Sequence, residues 1–452
     1  MSLLPAALPL PPMLPGAPLV GSAFTLTRDR LAFTQRMAEL GSVARFRMFH
    51  MELFHASQPE AVQHILQDNA RNYIKGPIFD PMRSLVGNGL FLSDGDFWLR
   101  QRRLMQPAFH QRRLAALVAG MAAETRASIE RWAQAAAAGQ PLNMAEETTA
   151  LAMRVVTRAL FSSGLAGSEQ RLAEAITTII DEISFRFDMP FYPPLGFPTR
   201  RNLHTRAAQR TLDSEVYAII SRRRADPAIK DDLLAMLMEA RDEADGKGMT
   251  DLQLRDEVII MFAAGHETTA NALAWAFYEL DRHPAVMEKV REEVNAVLAG
   301  GLPSAADLPR LAYTRMVMDE VLRIHPPVFI TNRQAVKEDS VCGYRIPAGA
   351  LISLSPYALQ RDARYWERPL EFDPERFTPE KSAGRPRFAY FPFGGGPRQC
   401  IGKDFALYEA VVVLAMTAQR FSWRLVPGEN VTPHPRATLR PSAVRVYLEE
   451  RR

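Results

Sequence analysis

Apolar residues recur at intervals of three and four through most of the first 325 positions. The spacing is plain in QPEAVQHILQDN, DFWLRQRRLMQPAF, ETTALAMRVVTRALF and HPAVMEKVREEVNAVL, and it predicts amphipathic helices, each with one face turned to a core. Pro284 stands where a first-turn proline belongs. Near the start the rhythm differs. A Pro-rich arm fills residues 1–28, a short helix is expected over 29–40, and VARFRMFHMELFHAS reads as a two-stranded hairpin. The longest apolar-rich run covers 250–283, with Thr250 as its cap and Pro284 as its stop. It would be about 50 Å long, and with apolar residues on most faces it must cross a core. Gly265 near its middle is poor helix chemistry and predicts a local distortion. Beyond residue 326 the pattern changes to short strands and loops punctuated by Pro and Gly, with one last helix after Cys400 and a strand-rich tail. The expected fold class is α+β, predominantly helical, with a small β-rich region. No repeat or low-complexity linker divides the chain, so residues 1–452 are expected to form a single domain.

Composition narrows this further. With 47% hydrophobic and 23% charged residues, the chain can bury a large core. The formal net charge of +4 comes without a long basic run, which argues against a nucleic-acid partner. The two cysteines, Cys342 and Cys400, lie in unlike contexts, so no disulfide framework is expected. Cys342, in a Gly-containing turn, reads as incidental. The opening run MSLLPAALPLPPMLPGAPLVG is apolar but broken by prolines, and it lacks a basic n-region. Neither a signal peptide nor an integral membrane segment is expected, and a cytoplasmic location follows.

Cys400 is the sharpest chemical feature. It ends the glycine-rich stretch FGGGPRQCIG at 393–402, and a helical sequence follows at once. Glycines let a backbone pass close to a flat ligand. A helix N-terminus favours a thiolate over a thiol, and Arg398 places a fixed cation two residues away. Read alone, the stretch is more readily a surface loop with a buried cysteine. A second feature is AGHETT, halfway along the 250–283 run. An acid beside an alcohol within a helix can relay protons, although a threonine bonded to the carbonyl one turn back is the ordinary reading. A third is the pair Glu320 and Arg323, commonplace on an exposed helix, with FDPERF carrying Arg376 about 50 residues later.

Together these strings resemble the cytochrome P-450 family, the haem-thiolate monooxygenases, and the resemblance covers essentially the whole chain as a soluble bacterial-type member. Phe393, Gly396, Arg398, Cys400 and Gly402 fill every position of that family's haem-binding signature, and Ala406 and Glu409 match its continuation. The resemblance implies that Cys400 is the metal ligand of haem b, iron protoporphyrin IX. It implies that Thr268 is the catalytic alcohol and Glu267 its acid partner in the oxygen groove, with Ala264 and Gly265 alongside. His266 falls at a variable position and is expected to face away from the iron. Glu320, Arg323 and Arg376 match the family's buried structural cluster. Trp98, Arg102 and Arg333 join Arg398 as expected holders of the haem propionates, because arginine forks suit carboxylates.

The implied activity inserts one atom of dioxygen into a hydrophobic substrate. Lining of the substrate cavity is expected from 73–92, 180–201, 259–268, 326–332 and 438–441, with Phe185, Phe187, Val328, Phe329, Ile330 and Leu439 as pocket residues. Among these, ISFRFDMPFYPPLGFPTR is rich in aromatics and prolines. It reads either as a lid packing its own aromatics or as an apolar mouth for a lipid-like substrate: a fatty acid, terpenoid, carotenoid or steroid. No flavin or ferredoxin module is seen before Arg452, so electrons are expected from a separate ferredoxin or flavodoxin with its NAD(P)H reductase. Arg100, Arg103, Arg112, Arg113 and Lys403 could steer such an acidic partner. Other haem-thiolate chemistries (peroxygenase, isomerase, dehydratase) can dispense with the acid–alcohol pair, and a non-catalytic haem sensor needs no electron donor.

Overall fold

The computed structural model describes residues 8–162, 169–189, 192–225 and 232–451. They gather into two compact units, one built from 1–80, 322–371 and 378–400, the other from 81–321, 372–377 and 401–452. Each unit has its own architecture.

The first unit is a five-stranded sheet with short helices. Helix α1 (Arg30–Glu39) starts where the Asp29 carboxylate accepts from the Ala32 amide, a standard cap. Strands β1 (Val43–Met48) and β2 (Met51–Ala56) pair antiparallel in the expected hairpin, Val43 opposite Ala56 and Met48 opposite Met51. With β3 (Tyr73–Ile74), β4 (Thr331–Ala335) and β5 (Leu351–Leu354), the sheet order is β1-β2-β5-β4-β3. Phe33 and Met37 of α1 pack on Ala44 and Phe46 at one end of the sheet. Phe54, Ile65, Leu66, Tyr73, Ile352 and Phe388 form a second cluster.

The second unit is helical. Its main helices are α2 (Gly95–Met105), α3 (Gln111–Ala137), α4 (Met144–Phe161), α5 (Glu169–Asp188), α6 (Arg200–Ala225), α7 (Asp251–Arg282), α8 (Pro284–Leu298) and α9 (Lys403–Arg420). A small sheet joins Leu142–Asn143, β9 (Arg445–Glu450) and β6 (Phe421–Leu425), and β7 (Pro433–Pro435) pairs with β8 (Leu439–Pro441) as a hairpin.

Helix α7 is the expected central rod. Thr250 Oγ1 accepts from the Gln253 amide while Gln253 Oε1 accepts from the Thr250 amide, a complete capping box. Most of its length is buried, down to Trp275 and Phe277. One expectation fails here: the helix runs unbroken through Gly265. The glycine serves packing instead. A Cβ there would stand 2.9 Å from Val156 Cγ2 of α4, so its absence lets the two helices approach closely. Among the described residues no helix is long and apolar enough to cross a membrane.

Candidate functional site

In the first unit the chain approaching Cys400 is wedged by its own glycines. Gly395 lies so near Phe388 that a Cβ would stand 2.2 Å from the ring. Gly396 has φ +63°, and its missing Cβ would fall 1.9 Å from the Leu66 carbonyl oxygen. Leu66 belongs to a π-helical turn, His64–Asp68. That turn is pinned by one carboxylate oxygen, Asp339 Oδ2, which accepts from His64 Nε2 at 2.8 Å, Asn69 Nδ2 at 2.9 Å and the Tyr73 hydroxyl at 2.7 Å. Burial works to raise the Asp339 carboxyl, but these donors hold it below the usual carboxylate range. Beyond Gly396, the Cys400 amide donates to the Phe393 carbonyl at 3.0 Å and closes the loop.

A second brace comes from Arg323. Its guanidinium donates to the carbonyls of Gln360, Pro369 and Glu371 at 2.7–3.0 Å. The fully buried Gln360 side chain donates to the carbonyls of Leu322 and Arg323, and its oxygen accepts from the Phe391 amide at 3.0 Å. The Gly394 amide then bonds the Phe391 carbonyl. Cys400 itself is exposed and forms no disulfide. Arg398 is half-buried, and Arg333 is buried, donating to Thr331 Oγ1 and the Asn332 carbonyl. Val328 is largely exposed, Ile330 half-buried and Phe329 buried.

In the second unit, α9 starts at Gly402, whose carbonyl accepts from the Ala406 amide. Glu409 is fully buried with neither carboxylate oxygen hydrogen-bonded, and burial pushes its carboxyl well above the usual range. Glu320 is also fully buried; it accepts from the Asp373 amide at 2.9 Å and stands 3.4 Å from Arg376 Nε. Trp98 and Arg102 share one face of α2, both half-buried.

Midway along α7, Met261, Ala264, Gly265 and Thr268 are the positions left uncovered on one face, at spacings of three and four. Thr268 Oγ1 donates to the Ala264 carbonyl at 2.9 Å, which leaves the hydroxyl oxygen able to accept. Glu267 is tied to the β7–β8 hairpin. Its Oε1 accepts from Thr438 Oγ1 at 2.5 Å and from Arg440 Nε and Nη2 at 2.7 and 2.6 Å. Asn271 Nδ2 donates to Thr438 Oγ1 at 3.0 Å. His266 turns into the helix: its Nδ1 lies 2.8 Å from the Phe262 carbonyl and must carry the proton. Burial pushes its ring below the usual histidine range, so it stays neutral.

The other expected residues scatter more. Phe185 stacks edge-on against Tyr192, with the Arg201 guanidinium 3.7 Å over its ring, so this aromatic packs within its own lid. Phe187 is half-buried, Phe191 lies outside the described residues, and Leu439 is buried with its carbonyl accepting from Trp275 Nε1. Of the basic residues, Arg103 pairs with Asp242 at 2.9 Å and Arg100 donates to the carbonyls of Lys247 and Gly248. Arg112 and Arg113 stay exposed in the first turn of α3, and Lys403 is half-buried.

Sequence reasoning missed Gln360 and Asp339, and it placed Thr438 and Arg440 in the expected cavity lining without their bonds to Glu267. A lone Gln or Asp carries no motif, and Thr438 and Arg440 lie about 170 positions from the acid they hold.

These residues fit a haem. Among the described residues no group of three or more His, Cys, Asp or Glu could cage a metal. A single exposed cysteine therefore holds iron only if the other ligands arrive with the metal, as a porphyrin supplies them.

Comparison with known proteins agrees. A family model described as cytochrome P450 matches residues 11–446. Cyclooctatin synthase of Streptomyces melanosporofaciens is 35% identical over 96% of this chain and 95% of its own length. Pentalenene oxygenase of Streptomyces avermitilis is 34% identical over 97% and 95%. The solved structure of retinoic acid-bound cyanobacterial CYP120A1 superposes with a TM-score of 0.87 at 26% identity, covering 98% of this chain and all of that one.

Proposed function

The chain belongs to the cytochrome P450 family and is a haem b monooxygenase that uses dioxygen and external reducing equivalents; on that premise we propose that it hydroxylates a terpenoid skeleton with electrons from a ferredoxin. The observation that carries the substrate class is the pair of relatives named for cyclooctatin and pentalenene, each aligned over nearly the full length of both chains. The retinoic acid-bound structure supports a lipophilic isoprenoid ligand, and so does the apolar character of Phe187, Val328 and Ile330. Spectral titration tests the class. Polycyclic terpenes should give clear type-I shifts, and shifts from small polar compounds alone would refute it.

Haem, when bound, supplies the activation of dioxygen, and the protein supplies its thiolate, its position and the protons. Cys400 is the ligand, held by a loop that Gly395, Gly396 and the Phe393 carbonyl leave no freedom to drift. Arg102 and Trp98 of α2, together with Arg333 and Arg398, would hold the propionates. Thr268 accepts a hydrogen bond on its hydroxyl oxygen while donating to the Ala264 carbonyl, and so would hold a proton donor in place beside the helix. Glu267 would meet solvent beside the hairpin that grips it, where Arg440 is about one-third exposed and Glu267 itself 11% exposed. Because all three donors from the hairpin reach Oε1, Oε2 is the oxygen that can exchange a proton. Thr268→Ala should leave ligand binding intact while oxygen consumption uncouples from product; unchanged coupling would point to another route.

Arg112 and Arg113 are the docking residues for the ferredoxin. The first turn of a helix disfavours cations, and α3 begins without an acidic residue or a side-chain cap. Two exposed arginines kept there are poorly explained by helix stability. Charge complementarity to an acidic partner supplies the reason.

A further inference from the structure

The loop 87–92 is laid directly on two neighbouring carboxylates in the second turn of α7. The Asn88 amide donates to Asp256 Oδ2 at 2.8 Å. The Leu90 amide donates to both oxygens of Glu257, at 2.9 and 3.0 Å. No side chain intervenes, because glycines occupy the alternate positions. Gly87 has φ +87°, and a Cβ on it would stand 2.1 Å from Asp256 Oδ1; a Cβ on Gly89 would stand 3.0 Å from Glu257 Oε2. At the far end of the loop, Arg83 Nη2 donates to the Leu92 carbonyl at 2.8 Å and pairs with Asp94.

The two carboxylates differ in their partners. Asp256 is neutralised by Arg255 at 2.8 Å, and Arg255 also pairs with Asp213 of α6. Glu257 is fully buried, and among the described residues its partners are amides only: the Leu90 backbone and Gln101 Nε2 of α2, at 2.9 Å. The nearest charges to it are therefore Asp256 on its own helix, with Arg255 and Asp213 beyond, while α2 and the loop present neutral groups. Gln101 Oε1 is buried and has no hydrogen-bond partner among the described residues.

That orphaned oxygen completes a second arrangement. Ionised Glu257 accepts from Gln101 and from Leu90. Protonated Glu257 has one oxygen turned donor, which needs an acceptor. A half-turn of the Gln101 amide offers Oε1 to it, and Leu90 then keeps at most one weak acceptor. Each arrangement leaves one end of the Gln101 amide without a partner among the described residues, but only the ionised one offers the Leu90 amide two charged acceptors.

We propose that Glu257 is a protonation-controlled latch on the 87–92 loop, and that the latch sets how firmly this part of the substrate cavity is closed. The second half rests on the reading that this loop lines the cavity. Burial, with a smaller contribution from Asp256, pushes the Glu257 carboxyl up to about 7 against the pull of its hydrogen bonds. The latch therefore works within the neutral range: closed at pH 8, open at pH 6. Glu257 is a positioning residue, acting on substrate through the backbone it holds.

Hydrogen–deuterium exchange of the haem-loaded full chain tests it directly. After correction for intrinsic exchange chemistry, amides in 87–92 should lose protection severalfold from pH 8 to pH 6. Glu257→Gln should abolish that pH step, and Gln101→Leu, which removes a donor to the ionised carboxylate, should shift it to higher pH. Protection that is flat across this range in the unsubstituted protein, or a step retained in Glu257→Gln, would overturn the proposal without depending on whether either variant folds well. The affinity of a bound terpene should step with the loop. A loop that steps while affinity stays flat upholds the latch and contradicts the cavity lining assigned to 87–92.

Discussion

The cysteine loop and the acid–alcohol segment of α7 are both short, both central to the proposed chemistry, and built on opposite plans. The loop is fixed by backbone. Gly395 and Gly396 fit where no Cβ can, the loop's amides bond its own carbonyls, and the braces behind it, Gln360 and Leu66, touch main chain. The helix segment is fixed by side chains, with Glu267 held by Thr438 and Arg440 of a distant hairpin. A thiolate ligand must not move, and a backbone cradle has few soft degrees of freedom. A proton relay must exchange partners, and side-chain hydrogen bonds rearrange at modest cost.

The largest effect should come from filling the cradle. Gly396→Ala forces a Cβ onto the Leu66 carbonyl and keeps a left-handed φ, so the loop or the π-turn must shift. We expect a loss on the order of 3–4 kcal/mol and poor haem retention, measured by denaturant unfolding and by the haem-to-protein ratio.

Glu257→Gln separates charge from shape on the same helix that bears the proposed relay. The Glu257 carboxyl is raised from 4.5 to about 7 in the folded protein. The folded state therefore binds this proton more tightly than the unfolded state. That stabilisation is complete below pH 4.5 and is lost as pH rises through 7. The glutamine variant escapes the loss, so it should be the more stable of the two at pH 8, by at most about 3 kcal/mol. The difference should fade toward pH 4 in thermal unfolding across that range.

Arg440→Leu breaks the side-chain plan. Glu267 keeps Thr438 but loses two charge-assisted donors, a cost of about 1–3 kcal/mol. Product formed per oxygen consumed should fall severalfold, with peroxide accounting for the remainder, while the spectrum of the thiolate-ligated haem stays unchanged. Arg440→Lys should recover much of the coupling. The smallest effect belongs to Gly394→Ala, a control for Gly396. Gly394 has φ +67° but no atom within 4 Å of its missing Cβ, so only backbone strain of about 1 kcal/mol applies.

The same division decides what the sequence discloses. Phe393, Gly396, Arg398, Cys400 and Gly402 stand at fixed offsets because one backbone path must fit one flat group, so a linear pattern captures them. The bounds of α7 were equally legible, since Thr250, Gln253 and Pro284 act locally. Gly265 misled, because a glycine in a helix signals weakness until the neighbouring helix, with Val156 against it, is known. The partners of Glu267 and Glu257 were illegible for the opposite reason: Thr438, Arg440, Leu90 and Gln101 meet them only through tertiary packing. Arg100 and Arg103 resembled free surface cations, yet they engage a turn near Asp242 that no local rule ties to α2.

The identity of the iron ligand is tested most directly by the absorption spectrum of the reduced, carbon monoxide-bound protein. Ligation by the Cys400 thiolate predicts a strongly red-shifted Soret band that disappears in Cys400→His. A band at the ordinary histidine-ligated position in the unsubstituted protein, or a red-shifted band that survives the substitution, would contradict it.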